Sequence, residues 1–271
     1  MVSQNLQHYK FQARPELANI IDDTITYSVL CQILAYQCTD IFTNGKSIVI
    51  CYSNTPYPVW VWCKTPFDKQ DIATIAHTLK THYLEKGPCK FIISEDLLIE
   101  LAKVDDAFGG LITRMQLLSH ELTEINSIKR KCDGQMQKAT LEQVDKLALL
   151  YKDASYEMEG HDFSIEHCKN VVVNFVQNDN LYVWMDHGNQ IVATVGTTVS
   201  DKVARIGFVY TLPNERRKGY ALNLVHGFSQ LLMDNGFKPI LYTNGDYVAS
   251  NECYKKIGYK QIGKLVEVEH E

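Results

Sequence analysis

The sequence predicts a mixed α/β fold arranged in two domains. Its 271 residues exceed the usual size of one domain, which is about 100–200 residues. Helical and strand patterns alternate along the chain, and a polar, basic stretch at 126–137 separates two such sets. We therefore predict a smaller N-terminal α/β domain at 1–130 and a second α/β domain at 133–271.

Composition indicates a folded protein with no general attraction for nucleic acid. Hydrophobic residues make up 45% of the chain and charged residues 22%, which is close to the average of globular domains. The formal charge of −5 gives no positive field for a phosphate backbone, so nucleic acid is not expected as a partner. Neither a signal peptide nor a run of about 18 apolar residues is visible, so we expect a cytoplasmic protein without a membrane partner.

The cysteines do not form a recognisable metal or disulfide pattern. Eight cysteines are scattered along the chain without a C-x-x-C pair. This spacing argues against a zinc ribbon, a redox motif and a disulfide framework. We expect reduced, mostly buried thiols and no metal site.

In the first half, apolar spacing predicts one helix over 14–36 and then a hairpin with strands at 47–53 and 57–64. Further along we predict a helix at 68–84, a strand at 89–94, a short helix at 95–103 and a strand at 111–118. The second hairpin strand is apolar on both faces, because Val59 and Val61 alternate with Trp60 and Trp62. This favours a central strand covered on both sides, with a substrate-lining wall as the alternative.

The second half begins with a short strand at 135–139 and a helix after Thr140, where Thr140 and Gln143 have the spacing of a capping box. Leu141, Val144, Leu147, Ala148 and Tyr151 share one face of that helix. The remaining predicted elements are a helix at 164–177, an antiparallel meander at 181–186, 190–199 and 203–211, a helix at 219–235, a strand at 239–243, a helix at 249–257 and a strand at 259–268.

The junction between the third meander strand and the next helix has the pattern of a phosphate site. Arg216-Arg217-Lys218-Gly219-Tyr220-Ala221 stands at the start of that helix. Unpaired N–H groups and the dipole at a helix start favour an anion, and Gly219 and Ala221 leave the backbone accessible. A solvated basic patch is the alternative, but positive charge is unfavourable at a helix N-terminus unless an anion binds there.

From about residue 135 to 271, the order of elements resembles the GCN5-related N-acetyltransferase (GNAT) superfamily, with VYTLPNERRKGYA and ASNECYKKIGY in their expected places. The resemblance implies a sheet that splays between its fourth and fifth strands, with acetyl-CoA in the gap. The N-terminal half matches no motif of the family, although its element order is compatible with a degenerate copy of the same fold.

The resemblance also implies roles for particular residues. Fourth-strand backbone would pair with pantetheine, the following loop would hold the pyrophosphate, and Tyr254 in the last helix would protonate the leaving thiolate. Many relatives have an asparagine seven residues before this tyrosine, where this chain has Tyr247, so Asn251 is the side-chain candidate in this segment. The implied cofactor-binding residues are Phe208, Val209, Tyr210, Arg216, Arg217, Lys218, Gly219, Tyr220, Ala221 and Asn251.

The predicted activity is acetyl transfer from acetyl-CoA to a primary amine of a small molecule, peptide or protein, by direct attack. A phenol stays protonated at neutral pH and can protonate the thiolate, although Tyr254 packing beside Ile257 is the alternative. Candidate bases are Glu157, Glu159 and His161, or a water chain. Two other functions stay open: a non-catalytic CoA-binding module, and an unrelated nucleotide-phosphate binder, whose usual motifs are absent.

Overall fold

A computed structural model describes residues 6–36, 40–129 and 131–271 of the chain. The chain forms two compact units. Unit 1 comprises Met1–Ser119, Thr243–Tyr247 and Ile262–Glu271, whereas unit 2 comprises His120–Tyr242 and Val248–Gln261. The predicted domain ranges, 1–130 and 133–271, stay a prediction, and they differ from these units in assigning the C-terminal residues to the second domain.

Unit 1 contains the first five strands, most of the sixth and of the last strand, and the first four α-helices. The strands are β1 Gln7–Lys10, β2 Asp40–Thr43, β3 Ile48–Tyr52, β4 Val59–Cys63, β5 Cys89–Ile93, β6 Ile112–Glu121 and β12 Lys260–His270. The α-helices are α1 Ser28–Leu34, α2 Lys69–His82, α3 Glu95–Val104 and α4 Asp106–Gly109, and short 3-10 helices lie at Pro15–Ile20 and Leu84–Lys86.

The sheet of unit 1 has the strand order β1-β2-β3-β4-β5-β12-β6. The predicted hairpin is confirmed, because β3 and β4 pair antiparallel from Ile48–Cys63 to Cys51–Trp60. All five residues of β4 are buried. Val59 and Val61 lie in one apolar cluster and Trp60 and Trp62 in another, so the prediction of a central strand covered on both faces is confirmed.

The single helix predicted over 14–36 is wrong. The structure has the 3-10 helix at Pro15–Ile20, a turn, and the separate helix α1 at Ser28–Leu34. In the turn, the Asp23 side chain accepts a hydrogen bond from the backbone N–H of Thr26 at 2.9 Å. Such a local bond offers the backbone an alternative to the helical hydrogen bond, and the helix is therefore interrupted there.

Unit 2 contains five strands and four α-helices. The strands are β7 Gln135–Lys138, β8 Leu181–Met185, β9 Ile191–Ser200, β10 Val203–Thr211 and β11 Lys238–Asn244, of which the last two residues are counted with unit 1. The α-helices are α5 Val144–Glu159, α6 Ile165–Gln177, α7 Tyr220–Asp234 and α8 Val248–Ile257, and 3-10 helices lie at Leu141–Gln143 and Pro213–Glu215.

The strands of unit 2 follow the order β11-β10-β9-β8-β7. The predicted meander is confirmed, since β8, β9 and β10 pair antiparallel in sequence order. The capping box is confirmed as well, because the backbone N–H of Thr140 donates to the Gln143 side chain at 3.0 Å. Leu141, however, is 56% exposed and does not share the buried face of α5, because it precedes the α-helix in the 3-10 turn.

Two apolar clusters cover the two faces of the unit 2 sheet. One contains residues of α7 and α8, including Leu224, Phe228 and Ile257. The other contains residues of α5 and α6, including Leu147 and Val172. The sheet is therefore enclosed between two helical layers, and β10 contributes side chains to both of them.

The seven described cysteines have free thiols, and the prediction that most of them are buried is wrong, because only Cys51, Cys63 and Cys168 are buried. The eighth, Cys38, lies outside the described residues. Within the described ranges, no cluster of three or more His, Cys, Asp or Glu side chains could hold a metal ion. No described helix has the length and apolar character that crossing a bilayer requires.

Candidate functional site

Strands β10 and β11 separate along their length. They pair in parallel from Val203–Lys238 to Ile206–Leu241. Beyond Ile206, the described register pairs β10 with β9 alone, as far as Thr211. The resemblance implied a splay between the fourth and fifth strands, and β10 and β11 are the fourth and fifth strands of unit 2 in chain order. The backbone of Phe208, Val209 and Tyr210 thus lies where β10 has left β11.

A β-bulge at Gly207 changes the face of the sheet to which the side chains at the end of β10 point. The register with β9 passes from Ile206–Thr197 directly to Phe208–Gly196. Before the bulge, Ile206 lies in the α7–α8 cluster, whereas Phe208 and Tyr210 lie in the α5–α6 cluster. An extra residue in one strand reverses the alternation of side chains beyond it. Tyr210 is thereby directed towards α5.

The start of α7 is open to an anion. The loop after β10 forms a 3-10 turn at Pro213–Glu215 and reaches Gly219 with φ of 100°, where a residue with a side chain would be strained. Helix α7 begins at Tyr220, and no side chain described in the structure caps its first turn. Its first N–H groups and the helix dipole therefore favour a phosphate group at this point.

The three basic residues of the loop differ in their contacts. Lys218 pairs with Glu215 at 2.8 Å, and this hydrogen bond raises the pKa of Lys218. Arg217 is exposed and has φ of 64°. Arg216 donates from Nη2 to Glu157 Oε2 at 2.6 Å and from Nε to the Thr211 carbonyl at 3.1 Å. The guanidinium of Arg216 is therefore directed to α5 and the end of β10.

Tyr254 lies in the middle of α8 and is buried in the α7–α8 cluster, which also contains Ile257. Its ring lies 5.9 Å from that of Tyr259, whose hydroxyl is 2.8 Å from the Ser229 hydroxyl. Burial raises the pKa of the Tyr254 phenol, so the group carries its proton at neutral pH. Asn251 stands half-buried one turn earlier on the same helix.

The candidate bases lie at the end of α5 and in the loop that follows. The hydrogen bond from Arg216 holds the pKa of Glu157 below its usual range, which makes this carboxylate a weaker base. His161 is half-buried, and its ring lies 5.3 Å from that of Phe163. Glu159 is the last residue of α5, and its side chain lies outside the described part of the structure. Lys152 fixes the loop by pairing with Asp162 and by donating to the Phe163 carbonyl at 2.7 Å.

The sequence analysis missed two features of this site. The contact of Arg216 with Glu157 joins residues 59 positions apart and leaves no local pattern. The bulge had a signal, since a glycine inside a strand, here Gly207, commonly marks one.

Comparisons with known proteins give the same fold for the whole chain. A GCN5-related N-acetyltransferase from Sphaerobacter thermophilus is 10% identical, with a TM-score of 0.74 over 100% of this chain and 96% of that one. A GNAT-family acetyltransferase from Colwellia psychrerythraea is 13% identical, with a TM-score of 0.63 over 98% and 100% of the two chains. A Drosophila protein is 12% identical, with a TM-score of 0.68 over 98% of both.

At the level of sequence, no curated protein matches this chain. The FR47-like protein family matches residues 185–268, which contain β10, the loop, α7 and α8. This match, together with the structural likeness over the full chain, confirms the resemblance drawn from VYTLPNERRKGYA and ASNECYKKIGY. The chain has the GNAT fold throughout, and its residues 185–268 match the FR47-like protein family.

Proposed function

We propose that the chain is an N-acetyltransferase that transfers the acetyl group of acetyl-CoA to a primary amine. The observation that carries the proposal is the combination of a fourth strand that leaves its parallel neighbour and an uncapped helix directly after it. The strand offers backbone groups to an amide-containing chain, and the helix start offers N–H groups to a phosphate. Acetyl-CoA contains both kinds of group in one molecule.

In this proposal, the backbone of Phe208, Val209 and Tyr210 binds the pantetheine arm, and an amide near Val209 or Tyr210 stabilises the oxyanion. The pyrophosphate lies against the first turn of α7, with Asn251 as a further side-chain contact. The pyrophosphate is assigned to the backbone of the loop and helix start, at Arg216, Arg217, Lys218, Gly219, Tyr220 and Ala221.

Tyr254 is the proposed general acid. The phenol carries its proton at neutral pH and can pass this proton to the departing thiolate. Removing a proton from the acceptor is assigned to water or to His161, since the hydrogen bond from Arg216 disfavours protonation of Glu157. Direct attack needs no covalent intermediate on the protein, and binding both reactants side by side supplies much of the catalysis.

A non-catalytic CoA-binding module is the second candidate. The burial of Tyr254 among Ile257 and Tyr259 favours it, because the ring has a packing role independent of any reaction. In such a module the end of β10 and the start of α7 would bind CoA, and no amine would be modified.

The test uses the full chain, since its C-terminal residues belong to unit 1. Acetyl-CoA binding is measured by calorimetry and by the rise in melting temperature that a ligand of the folded state produces. Release of the CoA thiol is then followed with spermidine, glycine, L-lysine and a short peptide with a free N-terminus. Thiol release with one of these amines supports the enzyme, binding without turnover supports the module, and no binding contradicts both.

A further inference from the structure

Three side chains from three elements meet at the end of β10. They are Tyr210 in the strand, Arg216 in the following loop and Glu157 in the last turn of α5. The Arg216 guanidinium carbon lies 5.4 Å from the centre of the Tyr210 ring, and its Nη2 lies 2.6 Å from Glu157 Oε2. Burial and the nearby Glu157 carboxylate raise the pKa of Tyr210, so the three side chains form one cluster.

The contacts of Arg216 hold its guanidinium from three directions. Nε is bound to the Thr211 carbonyl at 3.1 Å, Nη2 to Glu157, and the plane lies near the Tyr210 ring. Two of the five N–H donors of the guanidinium are thereby bound within the protein. The Arg216 side chain therefore joins α5 to the end of β10, although its backbone belongs to the loop before α7.

Glu157 connects this network to the loop that follows α5. The helix ends at Glu159, Gly160 follows with φ of 71°, and Lys152 binds Asp162 and the Phe163 carbonyl. Lys152 thereby makes the end of α5 and the loop 160–164 one connected segment. The bond from Glu157 to Arg216 then ties this segment to the end of β10.

We propose that Glu157, held by Arg216, is a positioning residue that fixes the segment 156–164 beside the end of β10, where the amine acceptor meets the thioester. The inference rests on the proposed function, because it takes the thioester to lie beside Val209 and Tyr210. It assigns the Arg216 side chain to the acceptor side of the reaction, and it removes Glu157 from the candidate bases.

The first test compares Glu157→Gln with Glu157→Ala, with Glu166→Gln on the exposed surface of α6 as the control. Glutamine keeps the shape and still accepts a hydrogen bond from Arg216. We expect kcat with the best amine of the panel to fall less than about 5-fold in Glu157→Gln and about 30-fold or more in Glu157→Ala. The acidic limb of the pH profile should be unchanged in Glu157→Gln, and Glu166→Gln should match the wild type. A general base would lose about 10²–10⁴-fold in both variants, together with that limb.

The role of Arg216 is tested by acetyl-CoA binding alone. Arg216→Met removes the charge and the hydrogen bonds but keeps the length of the side chain. We expect its Kd for acetyl-CoA to stay within about 3-fold of the wild type, because backbone groups hold the pyrophosphate. A rise of about 10-fold or more would place Arg216 on the phosphate and overturn its assignment to the acceptor side.

A third measurement needs no acceptor. Hydrogen exchange of the amides in 156–164 should become faster in Glu157→Ala and in Arg216→Met, while Glu157→Gln stays close to the wild type. Unchanged exchange in all three variants would overturn the positioning role. A wild-type chain that does not bind acetyl-CoA would contradict the proposed function, and the exchange experiment would still decide whether the network holds the segment.

Discussion

The two units share one order of elements and differ at the start of one helix. Unit 1 runs through β1, α1, the antiparallel strands β2 to β4, then α2, β5 parallel to β4, and α3. Unit 2 runs through β7, α5 and α6, the antiparallel strands β8 to β10, then α7, β11 parallel to β10, and α8. Helices α2 and α7 therefore occupy the same place in the two sequences of elements.

Helix α2 satisfies its own N-terminus, whereas α7 does not. The side chain of Asp68 accepts hydrogen bonds from the N–H groups of Gln70 at 2.7 Å and Asp71 at 3.4 Å. This carboxylate, with Asp71 in the first turn, occupies the position an anion would take and repels one. At α7 the corresponding residue is Gly219, which has no side chain. The two units thus have a capped helix start at α2 and an uncapped one at α7.

The largest expected effect concerns Tyr254 in α8 of unit 2. Helix α3, which occupies the corresponding place in unit 1, has no tyrosine. Tyr254→Phe keeps the ring but removes the proposed proton donor. We expect kcat to fall about 10²–10⁴-fold, measured in single turnovers, while the Kd for acetyl-CoA changes less than about 2-fold. The control is Tyr83→Phe, since the Tyr83 hydroxyl is buried in unit 1 and the described structure gives it no hydrogen-bond partner. An undiminished single-turnover rate would leave Tyr254 as a packing residue only.

The second prediction tests the helix start directly. Ala221→Glu adds a carboxylate in the first turn of α7, and we expect acetyl-CoA to bind about 100-fold more weakly, because like charges are brought together. Gly219→Glu should act similarly but also strains the backbone at φ of 100°. The matched control in α2 is Gln70→Glu, which stands at the same distance from its N-cap. Equal calorimetric affinity in wild type and Ala221→Glu would mean that the pyrophosphate binds elsewhere.

A third prediction compares two glycines that end helical segments in the two units. Gly258 has φ of 118°, and an added Cβ would lie 2.4 Å from the Glu124 carbonyl oxygen. Gly87 has φ of 123°, with nothing within 4 Å of that position. We expect Gly258→Ala to lower the free energy of unfolding by about 2–3 kcal/mol and Gly87→Ala by about 1 kcal/mol. Urea unfolding followed by circular dichroism measures both, and equal losses would show that the contact with Glu124 relaxes without cost.

The smallest effect is expected from Asp68→Ala. Losing this N-cap should lower the free energy of unfolding by about 1 kcal/mol. Calorimetry should still find one acetyl-CoA per chain, because the loop 64–68 before α2 has no glycine and Asp71 stays in the first turn. A second binding site in this variant would show that the Asp68 side chain alone closes unit 1 to the cofactor.

Local patterns predicted most of the fold. Strand β10 has the predicted limits, 203–211, because alternating apolar residues are bounded on both sides by turn residues. The sequence failed where a polar contact competes with periodicity, as at Asp23 and Thr26. It also missed β1 and β2, because neither QHYK nor DIFT alternates apolar and polar residues.

In the candidate site, too, local sequence predicted some features and missed others. The uncapped start of α7 could be predicted, because Gly219, Tyr220 and Ala221 are neighbours in the sequence and stand between a strand and a helix. The network of Glu157 with Tyr210 and Arg216 could not, because it depends on tertiary packing of α5 against β10. The side chain of Tyr210 points towards α5 because of the bulge. Composition alone does not predict how a bulge changes the direction of the side chains that follow it.

The bulge at Gly207 reverses the alternation of side chains in a strand that otherwise has a two-residue period. If Gly207 paired regularly with β9, Phe208 and Tyr210 would instead continue the row of Ala204 and Ile206 on the α7 side, and the phenol of Tyr210 would be removed from Glu157. Deleting Gly207 itself would preserve the observed facing, because Phe208 would then follow Ile206 on the opposite face of the strand. Gly207 therefore sets the facing of the end of β10 by being left out of the pairing with β9.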